Sequence, residues 1–363
     1  MGTDRLFRVA VLTAAFAIGS AQARESPLSL PPQQASLLDA ISADALRGDL
    51  SFLASDALEG RGTPSRGLDI AAEYIAAQFR GAGLEPLGDD GYFQTADWRK
   101  IAPEKERAKF ADAPAPLLVR NVVGMLRGSD PALSKTYVLV TAHYDHLGIR
   151  KDKGDDPIFN GANDDGSGTV SVIALARAFA AQKVRPKRSI VFMTVFGEEH
   201  GLVGSRYYGA HPLVPVANTV ADINLEQVGR TDDSEGPQVR AAAITGADYS
   251  EVADVLRKAG EATGIRMTKH PVNSDRYFAF SDNQALADLG VPAHTISVAY
   301  DFADYHGAAD TWDKIDYANM AAVDRAVALA VWTIANHPVA PRWNTSNPKT
   351  AKYVEAARRL HGE

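Results

Sequence analysis

Two adjacent carboxylates, Asp164 and Asp165, lie in the glycine-rich segment 160–168, directly before an apolar stretch with helical periodicity. Glycine-rich backbone is expected where a chain bends sharply around a ligand. Because neighbouring anions repel each other, a cation should stabilise this pair. Either the N-terminus of the following helix or a metal ion could do so. Taken alone, such a segment is more often a solvated turn.

Further histidine and carboxylate side chains follow predicted buried strands, at the point where each strand ends. His143 and Asp145 follow residues 136–142, Glu198 and Glu199 follow residues 189–196, Glu226 follows residues 220–225, and Tyr305 and His306 come shortly after residues 291–298. In open α/β sheets, ligands bind at the carboxyl ends of the strands. Individually, such residues are usually core histidines or solvated acids, but their joint position predicts a site.

The chemistry of this set favours zinc, which binds histidine nitrogen and carboxylate oxygen and, in catalytic sites, leaves a position for water. The set contains two histidines and four acids, namely His143, His306, Asp164, Glu198, Glu199 and Glu226. These six groups exceed the needs of one zinc ion and suit a two-metal hydrolase centre. Asp145, two residues after His143, could orient that imidazole. Several other histidines have no matching partner pattern and are predicted to be structural: His146, His200, His211, His270 and His294.

The fold follows from the alternation of apolar runs and helical patterns that begins at Asn121. Beyond the four strands above, helical patterns cover residues 41–53, 68–79, 168–181, 249–263, 283–289 and 317–336. This alternation predicts an α/β fold with a mixed, largely parallel central sheet and helices on both faces. We expect a single catalytic domain over residues 24–340, a surface loop at 100–116, and a polar C-terminal tail with a short basic helix at 341–363.

Composition limits the class of protein further. The 363 residues are 45% hydrophobic and 23% charged, which is typical of a globular chain with a large core. The formal net charge is −7 and no basic run occurs, so a nucleic-acid partner is not expected. The chain has no cysteine, and its stability therefore cannot depend on disulfides.

The N-terminus has the pattern of a secretory signal peptide. Arg5 and Arg8 precede the apolar run 9–17, and Ala21-Gln22-Ala23 fits a cleavage site with small residues. We therefore expect removal of residues 1–23 and a periplasmic or secreted protein that is not bound to a membrane. An uncleaved anchor is the alternative, although the apolar run is short for a membrane span.

Several blocks of this sequence resemble the co-catalytic di-zinc aminopeptidases, a family that includes glutamate carboxypeptidase and glutaminyl cyclase. The blocks are His143-Tyr144-Asp145, residues 161–168, residues 197–205 and Tyr305-His306, and the resemblance extends from about Leu50, through residues 84–88, to Asp313. Many members of the family insert a protease-associated domain before the first histidine, and residues 100–116 leave no room for one.

The resemblance implies two zinc ions per chain. His143 would bind one ion and His306 the other, while Asp164, joined to Asp165 by a cis peptide bond, would bridge both. Glu199 would be a further ligand, and Glu226 occupies the position where the family usually has Asp. A second departure is Ser281-Asp282-Asn283, where the family often has Ser-Asp-His.

The resemblance also implies the catalytic roles. Glu198 would be the general base for a metal-activated water, Asp145 would support His143, and Tyr305 could donate its hydroxyl to the developing oxyanion. The function predicted from these residues is an exported zinc aminopeptidase that hydrolyses N-terminal peptide bonds.

Other functions on the same fold remain open from sequence alone. They are a carboxypeptidase-like hydrolase, a glutaminyl cyclase and a non-catalytic metal-binding relative. A carboxypeptidase would need cations for the substrate carboxylate, for which Arg206, Arg230 and Arg276 are candidates. The preferred N-terminal residue and the oligomeric state are not predicted.

Overall fold

The computed structural model of the protein describes Met1, residues 30–152 and residues 154–362. Residues 2–23, nearly all of the expected signal peptide, lie outside the described part of the chain. Cleavage therefore stays a prediction.

A nine-stranded mixed sheet runs through the middle of the protein. Its strands are β1 (Glu85–Pro86), β2 (Phe93–Asp97), β3 (Leu118–Leu126), β4 (Tyr137–His143), β5 (Ser189–Val195), β6 (Thr219–Leu225), β7 (Ala241–Ile244), β8 (Arg266–Thr268) and β9 (Ala293–Ser297). Their order is β1-β3-β5-β4-β6-β9-β7-β8, and β2 also pairs with β3. Two small two-stranded sheets pair Gly148–Ile149 with Ile158–Phe159 and Asp232–Asp233 with Gly236–Pro237.

The four central strands, β5, β4, β6 and β9, are parallel to one another. Antiparallel pairs flank them, with β3 against β5 on one side and β7 against β9 on the other. The central four are the strands that the sequence predicts to carry site residues at their ends. The predicted α/β class with a mixed sheet and a parallel centre is therefore confirmed.

Helices cover both faces of the sheet. They are α1 (Pro32–Asp39), α2 (Ala43–Leu53), α3 (Arg66–Gly81), α4 (Trp98–Ile101), α5 (Glu104–Ala108), α6 (Gly168–Ala180), α7 (Val203–Ala210), α8 (Glu251–Thr263), α9 (Asn273–Arg276), α10 (Asn283–Ala287), α11 (Tyr317–Asn336) and α12 (Ala351–His361). Short 3₁₀ turns at Asp56–Arg61, Leu133–Lys135, Glu198–His200, Val216–Asn218, Tyr277–Ala279, Trp312–Lys314 and Pro348–Thr350 connect them. The ten helices and strands predicted from sequence agree with the observed bounds to within two residues.

The two faces of the sheet bury separate apolar clusters, as the twofold periodicity of a strand requires. On β4, Val138 and Val140 pack into the larger cluster, which α2, α3, α6, α8 and α11 cover. Leu139, between them, packs into the smaller cluster, to which α7, α10 and α12 contribute Tyr208, Leu286 and Tyr353. A strand buried on both faces explains the continuous apolar run in the sequence.

Helix α11 belongs to the larger cluster, and most of its residues are buried. Among the described residues it is the one helix whose length and composition would also allow it to cross a membrane. Its burial against the sheet and α8 is that of a core helix.

Two further segments are also structured. The expected surface loop at 100–116 contains α5, a helix that was not predicted. The expected tail at 341–363 contains α12, where a short basic helix was predicted, and its Tyr353 packs on Trp343 in the smaller cluster, with both side chains buried. The C-terminal segment is therefore packed as part of the same domain.

Candidate metal centre

The segment 160–168 forms a buried turn between the small hairpin and α6, at the carboxyl ends of β4 and β6. Gly161 has a φ of 57°, in the left-handed region that favours glycine. The peptide bond between Asp164 and Asp165 is cis, as the resemblance implies. Asp164 and Asp165 are almost completely buried, so their charges need partners within the protein.

One oxygen of Asp164 faces a first set of donors. His143 Nε2 lies 3.4 Å from Asp164 Oδ1, and Glu226 completes a group whose donor atoms lie within 4.8 Å of one another. His143 Nδ1 is 3.2 Å from the backbone oxygen of Asp145 and 3.6 Å from its carboxylate. Asp145 therefore contacts His143 mainly through its main-chain carbonyl.

The other oxygen of Asp164 faces a second set. His306 Nε2 lies 3.0 Å from Asp164 Oδ2 and 3.4 Å from Glu199 Oε2. His146 Nδ1 lies 2.8 Å from Glu199 Oε1, and His146, Asp164 and Glu199 form a second group of possible metal ligands. Asp164 is thus shared between both sets, in the position of a bridging ligand.

Unpaired polar atoms test whether these residues fit a metal. Several buried side-chain atoms lack a hydrogen-bond partner among the described residues, and five of them belong to these two sets: His143 Nε2, His146 Nδ1 and Nε2, Glu199 Oε1 and Glu226 Oε2. Buried polar atoms are normally paired, and unpaired ones converging on a point indicate an ion. Imidazole nitrogen and carboxylate oxygen are the donors that zinc prefers, so the residues fit zinc.

His146 is the largest departure from the sequence-based assignment, which treated it as structural. Its side chain is completely buried, and its ring stands edge-to-face to that of His306, with centroids 5.6 Å apart. The signal in the sequence was its position only three residues after His143, at the same strand end. His294, also treated as structural, contacts Ser250 and the Thr245 carbonyl through its two ring nitrogens and belongs to neither donor set.

Asp145 also positions Glu198. The Glu198 backbone amide donates to Asp145 Oδ1 at 3.2 Å, and Thr63 donates to Asp145 Oδ2 at 3.0 Å. The Glu198 side chain is 13% exposed and reaches to 3.9 Å from His143 Nε2 without belonging to either donor set. Burial raises the pKa of Glu198, although His143 opposes the shift.

Burial and the neighbouring imidazoles shift the pKa values of the other acids in opposite directions. Burial raises the pKa of Glu226 to about 7. Burial would also raise the pKa of Asp164, but contacts with His143 and His306 outweigh it and lower that pKa. The pKa of the shared carboxylate is therefore shifted in the direction opposite to those of Glu198 and Glu226.

Asp310, which the sequence did not single out, anchors the segment that carries Asp164. Its buried carboxylate accepts hydrogen bonds from the backbone amides of Asn163 and Asp164 at 3.0–3.1 Å. Asp165 accepts from the amide of Gln227 at 3.1 Å, which ties the same segment to the residue after Glu226. No local pattern around Asp310 indicates this role.

A cavity of about 160 Å³ opens onto the centre. Its lining includes five residues of the centre, namely Asp164, Glu198, Glu226, Tyr305 and His306. Its remaining wall combines aromatic and small hydroxyl side chains, namely Thr245, Tyr277, Phe280, Ser281, Thr295, Ser297 and Tyr300, together with Gln227. Tyr305 stacks on the His306 ring, with centroids 4.0 Å apart, and remains 44% exposed.

Donors of this chemistry, in two sets around one shared carboxylate, are typical of metal-dependent hydrolases. The chain belongs to Peptidase family M28, which matches residues 121–331 and so includes the whole centre. It is therefore a zinc metallopeptidase. A probable zinc metalloprotease of Pyrenophora tritici-repentis is 27% identical to it over 84% of this chain and 77% of the relative.

Solved structures support the fold. The aminopeptidase from Aneurinibacillus sp. strain AM-1 superposes with a TM-score of 0.61 at 17% identity, covering 86% of this chain and 97% of that one. The glutaminyl cyclase of Porphyromonas gingivalis superposes with a TM-score of 0.59 at 20% identity, covering 81% and 98%. The suspected resemblance is thus confirmed at the level of family and fold.

Replacing Asp310 by Asn should weaken metal binding without removing a donor. One carboxylate oxygen that accepts from the 163–164 amides becomes an amide group that cannot accept. Changes to groups that orient metal ligands typically cost 10–100-fold in metal affinity, and we expect a loss of about that size for zinc. Competition with a chromophoric chelator measures it. The exposed Asp313→Asn variant is the control, and equal affinities in both variants would contradict the anchoring role.

Proposed function

We propose that this zinc metallopeptidase is an aminopeptidase with two zinc ions, one held by His143, Asp164 and Glu226 and the other by Asp164, Glu199 and His306. The lining of the cavity is the observation that supports an aminopeptidase. Its lining is acidic, with Glu198 and Glu226, and among the described residues no Lys or Arg lines it. Such a cavity suits a substrate end that carries a protonated amine.

A carboxypeptidase would instead need a cation for the substrate carboxylate. Arg230 is committed to Asp232 and Asp304, at 2.5 and 2.9 Å. Arg206 and Arg276 are exposed and do not line the cavity. The positions of the three arginines therefore favour the aminopeptidase over this alternative.

Zinc would polarise the scissile carbonyl and make water more acidic at neutral pH. The chain's own contribution begins with Glu198, whose largely buried carboxylate lies beside the first donor set and belongs to neither of the two sets. Its carboxylate takes a proton from the attacking water and passes it to the leaving amine, which is general acid–base catalysis. Asp145 fixes the Glu198 backbone during both transfers.

Tyr305 stabilises the transition state in this proposal. It lines the cavity beside Asp164 and His306, and burial and the surrounding acids raise the pKa of its hydroxyl. The hydroxyl therefore stays protonated and can donate to the oxyanion that forms at the carbonyl oxygen. Stacking on His306 holds the ring close to the donor sets.

The reaction type is tested with matched peptides that have free or acetylated N-termini and free or amidated C-termini. We expect cleavage of the first bond in every peptide with a free amine, no cleavage of acetylated ones, and no effect of amidation. A metal chelator should abolish the activity, and zinc should restore it. Release of C-terminal residues, or conversion of N-terminal glutamine without peptide cleavage, would favour the carboxypeptidase or the cyclase.

Glu198→Gln tests the mechanism. The amide preserves size and hydrogen bonding but cannot carry the proton, so turnover should fall about 10²–10⁴-fold. Zinc content should remain two ions per chain, because no proposed ligand is lost. The neighbouring Glu199→Gln is the matched comparison and should lose zinc together with activity. Turnover near that of the wild type in a fully loaded Glu198→Gln preparation would move the base elsewhere.

We also propose that the protein is exported, on the strength of Arg5, Arg8, the apolar run 9–17 and the site at Ala21-Gln22-Ala23. In a bacterial expression host, intact-mass measurement of the periplasmic fraction should give a chain beginning at Arg24. Replacing Ala21 and Ala23 by bulky residues should block cleavage. A periplasmic chain that still begins at Met1 would overturn the proposal.

A further inference from the structure

His146 is held at the centre by its backbone and by the shape of its surroundings. Its amide donates to the Arg61 carbonyl at 3.2 Å, and it forms a bridge with Gly62. Its ring packs directly on Gly161, where a Cβ atom would come within 2.4 Å of the imidazole Cγ. The glycine therefore leaves the space that this imidazole fills.

The ring nitrogens of His146 have no ordinary partner. Neither Nδ1 nor Nε2 makes a hydrogen bond within the described residues, although the ring is completely buried. Nδ1 lies 2.8 Å from Glu199 Oε1 and 3.9 Å from Asp164 Oδ2, and Glu199 Oε1 is itself unpaired. Two unpaired atoms this close, without hydrogen-bond geometry, are arranged as ligands that converge on one ion.

We propose that His146 is a ligand of the second zinc ion, together with Asp164, Glu199 and His306. The inference rests on the two-zinc centre of the proposed function. It makes the two positions unequal, because the second receives four protein donors and the first receives three, from His143, Asp164 and Glu226. Four protein donors are typical of closed zinc sites, whereas three leave a position for water or substrate.

The inequality gives the two positions separate roles. The second ion, which receives four ligands from the chain, is bound more tightly than the first and has the structural role. The first lies nearest Glu198, whose Oε2 is 3.9 Å from His143 Nε2, and is the position at which the attacking water meets its base.

His146→Asn tests the proposal through zinc binding. Asn can still donate a hydrogen bond to Glu199 but is a poor zinc ligand, so a merely positioning role would be largely preserved. We expect one zinc to bind as in the wild type and the other to bind more than about 100-fold more weakly, beyond the range for groups that only orient ligands. His200→Asn, at a half-buried neighbouring histidine that contacts Glu106, is the matched control and should bind both ions normally.

A measurement on the unaltered protein avoids any folding defect of the variant. The wild type is labelled with ¹⁵N-histidine and loaded with ¹¹³Cd, and couplings between the metal and ring nitrogens are recorded. Three coupled imidazoles, from His143, His146 and His306, are expected, with His146 coupled through Nδ1. Two coupled imidazoles, or unchanged zinc affinity in His146→Asn, would overturn the proposal. Neither readout uses turnover, so failure of the peptidase assignment would be seen separately.

Discussion

Repulsion between buried acids is the constraint on which the centre depends. Asp145, Asp164, Asp165 and Asp310 are each at most 2% exposed, and all four lie close enough to Arg61 to raise its pKa. Arg61, also buried, donates to the carbonyls of Leu53, Tyr144, Asn160 and Gly161 and not to any of these carboxylates. Burial is the larger influence and lowers its pKa to about 10, which still leaves it charged. The buried Arg61 cation thus stabilises these acids electrostatically. Because Arg61 makes no hydrogen bond to Asp164, that shared carboxylate can face the two donor sets.

The same contacts fix the geometry of the loops. Through Arg61, the turn that follows α2 is joined both to the end of β4, which carries His143, and to the start of the segment that carries Asp164. Asp310 and Asp165 add bonds from that segment to the loop before α11 and to the end of β6. Catalytic groups on loops need such support, because loops are otherwise mobile. Here the support comes from buried polar side chains that hydrogen-bond to backbone groups. Within the described residues, His143 Nε2, Glu199 Oε1 and Glu226 Oε2 are left without a hydrogen-bond partner.

The sequence predicted the parallel core and most of the centre, because both have local signals. Strands β4, β5, β6 and β9 are apolar runs. The ends of β4, β5 and β6 carry acids and histidines directly, and Tyr305 and His306 follow β9 across a loop. Strand β7 was missed because Ala241, Ala242 and Ala243 have weak strand propensity, and its place beside β9 is set by pairing across the sheet. His146 and Asp310 were missed for a similar reason. His146 is oriented by its contacts with Gly161 and Glu199. Asp310 acts through the backbone amides of Asn163 and Asp164. No local sequence pattern indicates these contacts.

The two neighbouring glutamates show how one turn directs adjacent side chains to different neighbours. Glu198 and Glu199 lie in a 3₁₀ turn that Gly197 enters with a φ of 68°, a conformation in which other residues are strained. Because the turn advances roughly a third of a revolution per residue, the adjacent side chains cannot point the same way. Glu199 reaches His146 and His306, whereas Glu198 turns toward His143 and the cavity. A strand continuing through this position would also send the two side chains to opposite faces of the sheet, and only one would reach the centre. The turn keeps both carboxylates there, with Glu199 in the second donor set and Glu198 outside both sets.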